Sequence, residues 1–187
     1  MEFLIKQFQF MNQKMFNLNP ILFQQNLLNF QFTIQNMKID IYDCFQFNQK
    51  GEYFTGENSM YCNNCKIQCP ASYFTNLYTG PNILIIVLNR GKGIEFKVKL
   101  EFDEELNLEN FIEFKNPGYK YKLMGVVTHM GESGASGHFI AYCKSPIDKQ
   151  WYKYNDDLVS KVFKFREEII DYAMPYILFF EKDNKTN

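Results

Sequence analysis

The sequence predicts an α+β fold built on a mainly antiparallel sheet with a few short helices. Three observations predict it. Strand-like runs dominate the second half of the chain, and the turns between them are short, which favours antiparallel neighbours. Hydrophobic residues make up 46% and aromatic residues 18% of the 187 residues, which is ample for the core of one domain.

Two short helices are expected. The first is predicted over 39–48, because apolar residues recur at helical spacing from Ile39 to Phe45. Asp40 lies at its start, where an acidic side chain interacts favourably with the helix dipole. The second is predicted over 166–173.

The strands follow from alternating or continuous apolar runs bounded by turn residues. These runs predict strands over 30–34, 73–78, 83–88, 96–100, 119–130, 137–144, 151–155, 158–163 and 176–181. The run 83–88 is bulky at every position, which predicts a central strand buried on both faces.

The composition divides the chain near residue 37. Residues 1–37 contain only three charged residues and are dense in Gln and Asn. We interpret them as a leader of uncertain order, with a short aggregation-prone tail as the alternative. Residues 38–182 have the composition of an ordinary globular domain, and 183–187 form a polar tail.

Several classes of protein are excluded by charge and hydropathy. The 20 Lys plus Arg residues balance 21 Asp plus Glu residues, so no basic surface points to nucleic acid or an anionic membrane. The longest apolar run, 83–88, is far below the ~20 residues of a membrane span, and no signal-peptide core is present. Five unevenly placed cysteines are not typical of a secreted disulfide framework, so we expect an intracellular protein, cytoplasmic or nuclear.

Both histidines of the chain fall in one segment, and the second lies at the start of a predicted hairpin. Centring the hairpin turn on Pro146 and Ile147 places His138 directly opposite Asn155. Directly opposed side chains are close enough for a hydrogen bond between imidazole and amide. Alternation along the strands points Cys143 to the other face, away from His138, and it points Asp156, next to Asn155, to the opposite face as well.

This pair suits nucleophilic catalysis. An imidazole that donates one N–H to an amide oxygen has its tautomer fixed, and its other nitrogen can take a proton from a nucleophile. The glycines at 131, 134 and 137 form a small-residue loop before His138, which lets another backbone pass close by. The alternative interpretation is an ordinary histidine at a sheet edge after a flexible connection.

The segments GHFIAYCKSP and WYKYNDDLVSKV, at 137–146 and 151–162, resemble the His box of ubiquitin-specific proteases, which are papain-like cysteine hydrolases that remove ubiquitin. The resemblance covers about 38–181. Further segments follow the order of the family: IYDCF, YCNNC, PNILIIVLNR, YKL through HMG, and YILFFE. Several motifs in the correct order are far more specific than one.

The resemblance implies the palm and fingers of a papain-like fold, with the helical thumb missing. It implies His138 as the general base, Asn155 as the residue that orients it, and Asp156 as a neighbour that helps to orient water or the oxyanion. The segment 130–137 is similar to the family's blocking loop over the ubiquitin tail. The implied substrate-binding residues are Met130, Gly131, Gly134, Gly137 and Tyr142.

The nucleophile is not recognised. The family places it in an N-terminal Cys box, and nothing in this chain resembles that box. The implied function is cysteine-type hydrolysis after the terminal glycine of ubiquitin, with ubiquitin or ubiquitinated proteins as partners, but the chain alone is predicted to be inactive. The alternatives are a non-catalytic ubiquitin-binding or scaffolding module, or a truncated gene model.

The spacing of the cysteines bears on metal binding. Cys62 and Cys65 have the spacing of half a structural zinc site. The family usually supplies a second such pair upstream, but no C-x-x-C precedes Cys62 here, and Cys69 adds only a third candidate thiolate. We therefore expect no cofactor in this chain, with an incomplete zinc site at Cys62 and Cys65 as the alternative.

Overall fold

A computed structural model describes residues 38–88, 90, 98–115, 118–133, 136–171 and 174–183. The predicted strand 30–34 and the leader that contains it lie outside the described residues.

Thirteen strands and one α-helix are found in the described part of the chain. The helix, α1, spans Ile41–Gln49, a 3₁₀ turn spans Gly56–Asn58, and a π-helical segment spans Arg166–Asp171. The strands are β1 (Lys38–Asp40), β2 (Glu52–Phe54), β3 (Met60–Cys62), β4 (Ile67–Cys69), β5 (Ala71–Tyr73), β6 (Ile83–Val87), β7 (Lys99–Glu101), β8 (Glu105–Asn107), β9 (Lys120–Ser133), β10 (Ser136–Lys144), β11 (Trp151–Asn155), β12 (Leu158–Lys161) and β13 (Pro175–Lys182). The α+β class with a mainly antiparallel sheet is confirmed.

The central sheet has seven strands and is antiparallel throughout. Its order is β12-β11-β10-β9-β13-β6, and β8 pairs with β9 as well. The long strand β9 is shared: its beginning pairs with β8 and its end with β10, both along the same edge. The predicted strands in this sheet are confirmed to within a few residues at their ends.

Three smaller two-stranded sheets complete the strand pairing. The first is the parallel pair β1–β7, in which β1 directly precedes α1 and contacts it. The other two are the antiparallel pairs β2–β5 and β3–β4, and β3–β4 is a hairpin closed by the segment 63–66.

The helix α1 forms where the sequence predicts it. The side chain of Asp40 accepts a hydrogen bond from the backbone N–H of Tyr42 at 2.7 Å, which caps the first turn. Ile41, Cys44 and Phe45 are the buried residues of the helix, because three- and four-residue spacing places them on one face. This face joins the hydrophobic core, which includes Ile86, Leu100, Val126, Ile140, Leu178 and Phe180.

Two of the strand predictions are wrong. β6 is the outermost strand of its sheet, and alternate residues on it, Ile83, Ile85 and Val87, are 44–45% exposed, so it is not buried on both faces. A continuous apolar run does not distinguish a central strand from an edge strand with one uncovered face. The predicted strand 73–78 is largely irregular. Its last residues pair with 112–114 through only a single bridge and two backbone hydrogen bonds, so no continuous strand forms there.

The buried Tyr121 leads to a prediction for stability at alkaline pH. Tyr121 is 1% exposed, its hydroxyl donates to the carbonyl of Pro81 at 2.9 Å, and burial raises its pKa from 10.0 to about 12. The unfolded chain releases this proton near pH 10 while the folded chain keeps it, so the stabilisation is complete below pH 10 and is lost between pH 10 and about 12. We expect the ionisation of Tyr121 to contribute a fall of about 3 kcal/mol in the free energy of unfolding across this window.

Urea unfolding at a series of pH values measures this loss. Tyr121→Phe should remove the contribution of Tyr121, about 3 kcal/mol between pH 10 and about 12, whereas the same change at the exposed Tyr61 should leave the slope as it is. An unchanged slope in Tyr121→Phe would contradict the assignment.

Within the described ranges, no helix is both long enough and apolar enough to cross a membrane.

Candidate active site

The ribbon formed by β9 and β10 positions His138. His138 pairs with Met130 across the ribbon, and the register shifts between Ser136 and His138. Gly137 lies in this irregularity with φ +156°, a backbone conformation that favours glycine. The segment 130–137 was expected to be a small-residue loop. In its described residues it is strand, since β9 extends to Ser133 and β10 begins at Ser136.

The pairing of β10 with β11 differs from the predicted register by two residues. Tyr142 pairs with Lys153 and Lys144 with Trp151, where the prediction paired Tyr142 with Trp151. The turn closes later than expected: the Ser145 N–H donates to the Gln150 carbonyl, and Lys149 adopts a left-handed conformation with φ +59°. A slip of two residues leaves each side chain on its predicted face.

His138 and Asn155 are in contact. Their side chains lie diagonally across the ribbon, and His138 Nε2 is 2.5 Å from Asn155 Oδ1. Because a carbonyl oxygen can only accept, Nε2 carries the proton and donates it, which leaves the lone pair on Nδ1. The His138 side chain is 45% exposed, so this nitrogen can be reached by a reacting group.

Asp156 lies nearer to the histidine than expected. Strand alternation predicts that it faces away from His138, but its Oδ2 is 3.7 Å from His138 Nε2. Alternation ends at Asn155, which pairs with Leu158 to close a two-residue turn, and Asp156 in that turn has φ +50°. The left-handed conformation redirects the carboxylate toward His138.

The hydrogen bond leads to a prediction about the imidazole. We expect Asn155→Ala to shift the ratio of the two neutral tautomers of His138 by about fivefold to tenfold, the equivalent of one hydrogen bond. The ¹⁵N shifts of the two ring nitrogens measure this ratio, and the chain has only two histidines to assign. Asp157→Ala, in the same turn, is the matched control and should leave the ratio unchanged. An equal effect in both variants would show that the turn, not the amide, fixes the tautomer.

The other predicted substrate-binding residues differ in their position relative to His138. Met130 and Gly131 lie on β9 beside the histidine, and Met130 is 50% exposed. Gly134 lies outside the described residues. Tyr142 is on the same strand as His138 but only 5% exposed, so the structure places it in the hydrophobic core and not beside His138.

No cysteine contacts His138 in the part of the chain that the structure describes, which includes all five cysteines. Cys143 lies on β10 at an odd-numbered position and so faces the opposite side of the sheet, as predicted. Burial raises the pKa of the Cys143 thiol, which disfavours the thiolate. Cys44 is buried in α1, and the remaining three cysteines lie together around the β3–β4 hairpin.

The thiols of Cys62, Cys65 and Cys69 form the one group in the described residues that could hold a metal ion. Their Sγ atoms all lie within 4.8 Å of one another, and tetrahedral zinc separates its sulfur ligands by about 3.8 Å. Backbone N–H groups of Cys65 and Asn64 lower the pKa of Cys62, which favours its thiolate. The residues therefore fit three of the four positions around a zinc ion, and the structure brings the third candidate thiolate, Cys69, next to the pair.

A buried residue beside the candidate site that the sequence analysis did not select is His129. It is 6% exposed, and its ring makes an edge contact with Phe139 at a centroid distance of 4.8 Å. A Cβ atom at Gly137 would overlap this ring, so His129 packs directly beneath the glycine that precedes His138. The available signal was that both histidines fall in the same glycine-containing segment.

The fold, together with a histidine hydrogen-bonded to a side-chain amide, defines the papain-like class of cysteine hydrolases by architecture. The sequence model described as "Ubiquitin carboxyl-terminal hydrolase" matches residues 7–180, so the chain belongs to this family. The predicted resemblance to ubiquitin-specific proteases is confirmed, and the chain fits a C-terminal portion of their catalytic domain.

Two curated relatives illustrate the similarity. Ubiquitin carboxyl-terminal hydrolase 25 of Arabidopsis thaliana is 36% identical over 141 residues, which cover 73% of this chain and 21% of that protein. Ubiquitin carboxyl-terminal hydrolase 48 of Rattus norvegicus is 32% identical over 139 residues, which cover 71% of this chain and 13% of that protein. The chain thus spans about a fifth or less of the length of these relatives.

Solved structures agree with the sequence comparison. A chain from the SAGA Ubp8/Sgf11/Sus1/Sgf73 DUB module bound to ubiquitin aldehyde matches with a TM-score of 0.62 and 25% identity. A chain from the same module bound to monoubiquitin matches with a TM-score of 0.63 and 27% identity. Each match covers 81% of this chain and 36% or 35% of the other chain.

Proposed function

We propose that this chain supplies the proton-transfer part of a cysteine-type deubiquitinase site, which acts on the bond after the C-terminal glycine of ubiquitin. In this proposal His138 is the general base and Asn155 orients it. The single observation that carries the proposal is the contact of His138 Nε2 with Asn155 Oδ1 at 2.5 Å, which leaves Nδ1 as the proton acceptor. Membership of the family supports ubiquitin as the substrate.

The reaction needs four proton transfers at Nδ1 of His138. A cysteine thiol gives its proton to Nδ1, and the thiolate attacks the carbonyl carbon of the terminal glycine. The imidazolium then protonates the leaving amine as the C–N bond breaks and a thioester remains. Water next gives a proton to Nδ1 and attacks the thioester, and the returned proton restores the thiol as ubiquitin leaves with a carboxylate. Asn155 holds the ring in one orientation throughout.

The geometry of the β9–β10 ribbon next to His138 supports a narrow binding path for the ubiquitin tail. Gly131 has φ +155°, and a Cβ at this position would lie 2.7 Å from the Ser136 carbonyl oxygen, so the two strands approach each other closely here. The exposed Met130 flanks this position and offers an apolar surface. We propose that the close approach favours the two terminal glycines of ubiquitin over residues with side chains.

A second candidate function is ubiquitin binding without catalysis. The observation that favours it is that no cysteine contacts His138 within the described residues. Affinity separates the two candidates. A binding module requires a submicromolar dissociation constant for ubiquitin from this chain alone, and the catalytic proposal requires only weak binding, above about 1 μM.

Titration of ¹⁵N-labelled ubiquitin with the 187-residue chain tests the proposal. We expect the chemical shift changes to concentrate in the C-terminal tail of ubiquitin and to vanish for ubiquitin that lacks its last two glycines. Met130→Glu should weaken binding about tenfold, because it places a charge on the apolar flank of the tail. Met124→Glu, a similarly exposed methionine earlier on β9, is the matched control. Equal losses in both variants, or shifts away from the tail, would contradict the proposal.

A further inference from the structure

The outer edge of β6 carries backbone groups that have no partner in the described part of the chain. β6 is the last strand of the central sheet and pairs only with β13. The N–H of Leu88 donates to the Tyr176 carbonyl, and the Asn82 carbonyl accepts from the N–H of Lys182, so the even-numbered residues here direct their backbone groups toward β13. Because this direction alternates along a strand, the N–H and C=O groups of the odd-numbered residues point away from the sheet.

The odd-numbered positions of β6 are occupied by Ile83, Ile85 and Val87. Their side chains are 44–45% exposed, whereas Ile86 between them is 2% exposed and belongs to the core. The five-residue strand, ILIIV, contains no charged residue and no proline, and its pairing with β13 has no bulge. An apolar edge strand of this kind is a template for another strand, because pairing satisfies its outward backbone groups.

The other outer strands of the sheet are less suited to pairing. β12, which is outermost on the opposite side, has four residues and includes Ser160 and Lys161. Lysine on an edge strand disfavours pairing with another chain. β8 has only three residues and begins with the charged Glu105. Among the described strands, β6 therefore has the edge that best accepts another strand.

A second copy of the same strand fits this edge. We propose that two copies of the chain associate through β6, in an antiparallel pair about a two-fold axis that passes through Ile85. In this register Ile85 pairs with its own counterpart, and Ile83 pairs with Val87 of the second copy. These are the hydrogen-bonded positions of the pair, so every N–H and C=O that β6 directs outward gains a partner. The paired side chains are also neighbours on one face, where β-branched pairs stabilise a sheet.

The charge of the chain and the position of the candidate active site are compatible with this dimer. The formal net charge is −1, so the two copies repel each other little. His138 lies on β10, and β9 and β13 separate β10 from β6, so the pairing does not involve the strand that carries the histidine. A single strand pair buries less than the about 1,200 Å² of a standard interface, so we expect a weak dimer with a dissociation constant of roughly 10–100 μM.

Sedimentation equilibrium of the 187-residue chain between about 5 and 500 μM tests this inference. We expect the mass to rise with concentration from 22.3 kDa toward twice that value. Ile85→Lys should weaken association at least about tenfold, because it places like charges directly opposite each other on the axis. Val159→Lys is the matched control, since Val159 is a similarly exposed β-branched residue on β12, at the opposite edge. A monomer at all concentrations, or association that Ile85→Lys leaves unchanged, would overturn the inference.

A mixing experiment tests the register and does not depend on the loss of association in one variant. Only a residue on the two-fold axis meets its own counterpart, so Ile85→Lys and Ile85→Glu should each be monomeric where the wild-type chain associates. An equimolar mixture of the two variants should associate again, because opposite charges are then paired across the axis. A mixture that stays monomeric would overturn the inference. These measurements contain no ubiquitin, so their outcome and that of the ubiquitin titration can be judged separately.

Discussion

No turnover of a fluorogenic ubiquitin amide is expected from the 187-residue chain. His138 and Asn155 are in contact, but no cysteine contacts the histidine within the described residues. Removal of the nucleophile from a catalytic triad costs about 10⁶-fold in rate even when the base and its orienting partner remain. The rate should therefore be the same for the wild-type chain and for His138→Ala, and should equal that of buffer.

An electrophilic ubiquitin derivative provides a second readout of the same prediction. No covalent adduct is expected, because the most exposed thiol outside the β3–β4 hairpin, Cys143, faces away from the histidine and burial raises its pKa. The prediction would fail if turnover were lost in His138→Ala, or if an adduct formed and disappeared in Cys143→Ser. Either result would show that a nucleophilic cysteine lies next to the imidazole of His138.

The candidate site could be predicted from the sequence because it depends only on which face of the sheet each side chain occupies, and not on the exact register of the strands. The predicted hairpin was displaced by two residues, yet His138 and Asn155 stayed on one face, since side chains alternate with a period of two. A displacement of one residue would have separated them. Asp156 was placed wrongly for the same reason, because it lies in the turn, where alternation no longer applies.

Other parts of the fold depend on contacts that are distant in sequence. The exposure of one face of β6 reflects which strand lies beside it, and an apolar run of five or six residues carries no information about that neighbour. The proximity of Cys69 to the C-x-x-C pair depends on the register of a hairpin whose strands have only three residues each. Strands so short give too weak a pattern to be predicted.

The largest expected loss of stability comes from a single added methyl group at Gly137. Gly137 has φ +156°, and a Cβ atom there would overlap the ring of His129 and the backbone carbonyl of Met130. The strained conformation costs about 1–3 kcal/mol and the overlap a similar amount. We expect Gly137→Ala to lower the free energy of unfolding by about 4 kcal/mol and to disrupt the contact between His138 and Asn155.

Gly118→Ala is the matched control for backbone strain. Gly118 has a similar φ of +142°, but the nearest atom to an added Cβ is Lys182 Cδ at 3.9 Å, an ordinary van der Waals contact. It should therefore show the strain alone, about 1–2 kcal/mol. Urea unfolding of the two variants separates strain from overlap, and equal losses would mean that the packing against His129 contributes nothing.

A double-mutant cycle identifies the His129 ring as the cause of the remaining loss. His129→Ala removes the atoms that the new methyl group would meet, at the cost of a cavity beside Phe139. The loss in the double variant should be smaller than the sum of the single losses by at least about 1 kcal/mol. The His138 tautomer ratio should also recover in the double variant, because the His129 ring packs against Gly137 and Gly137 sets the direction of His138. A strictly additive cycle would instead assign the overlap to the Met130 carbonyl alone.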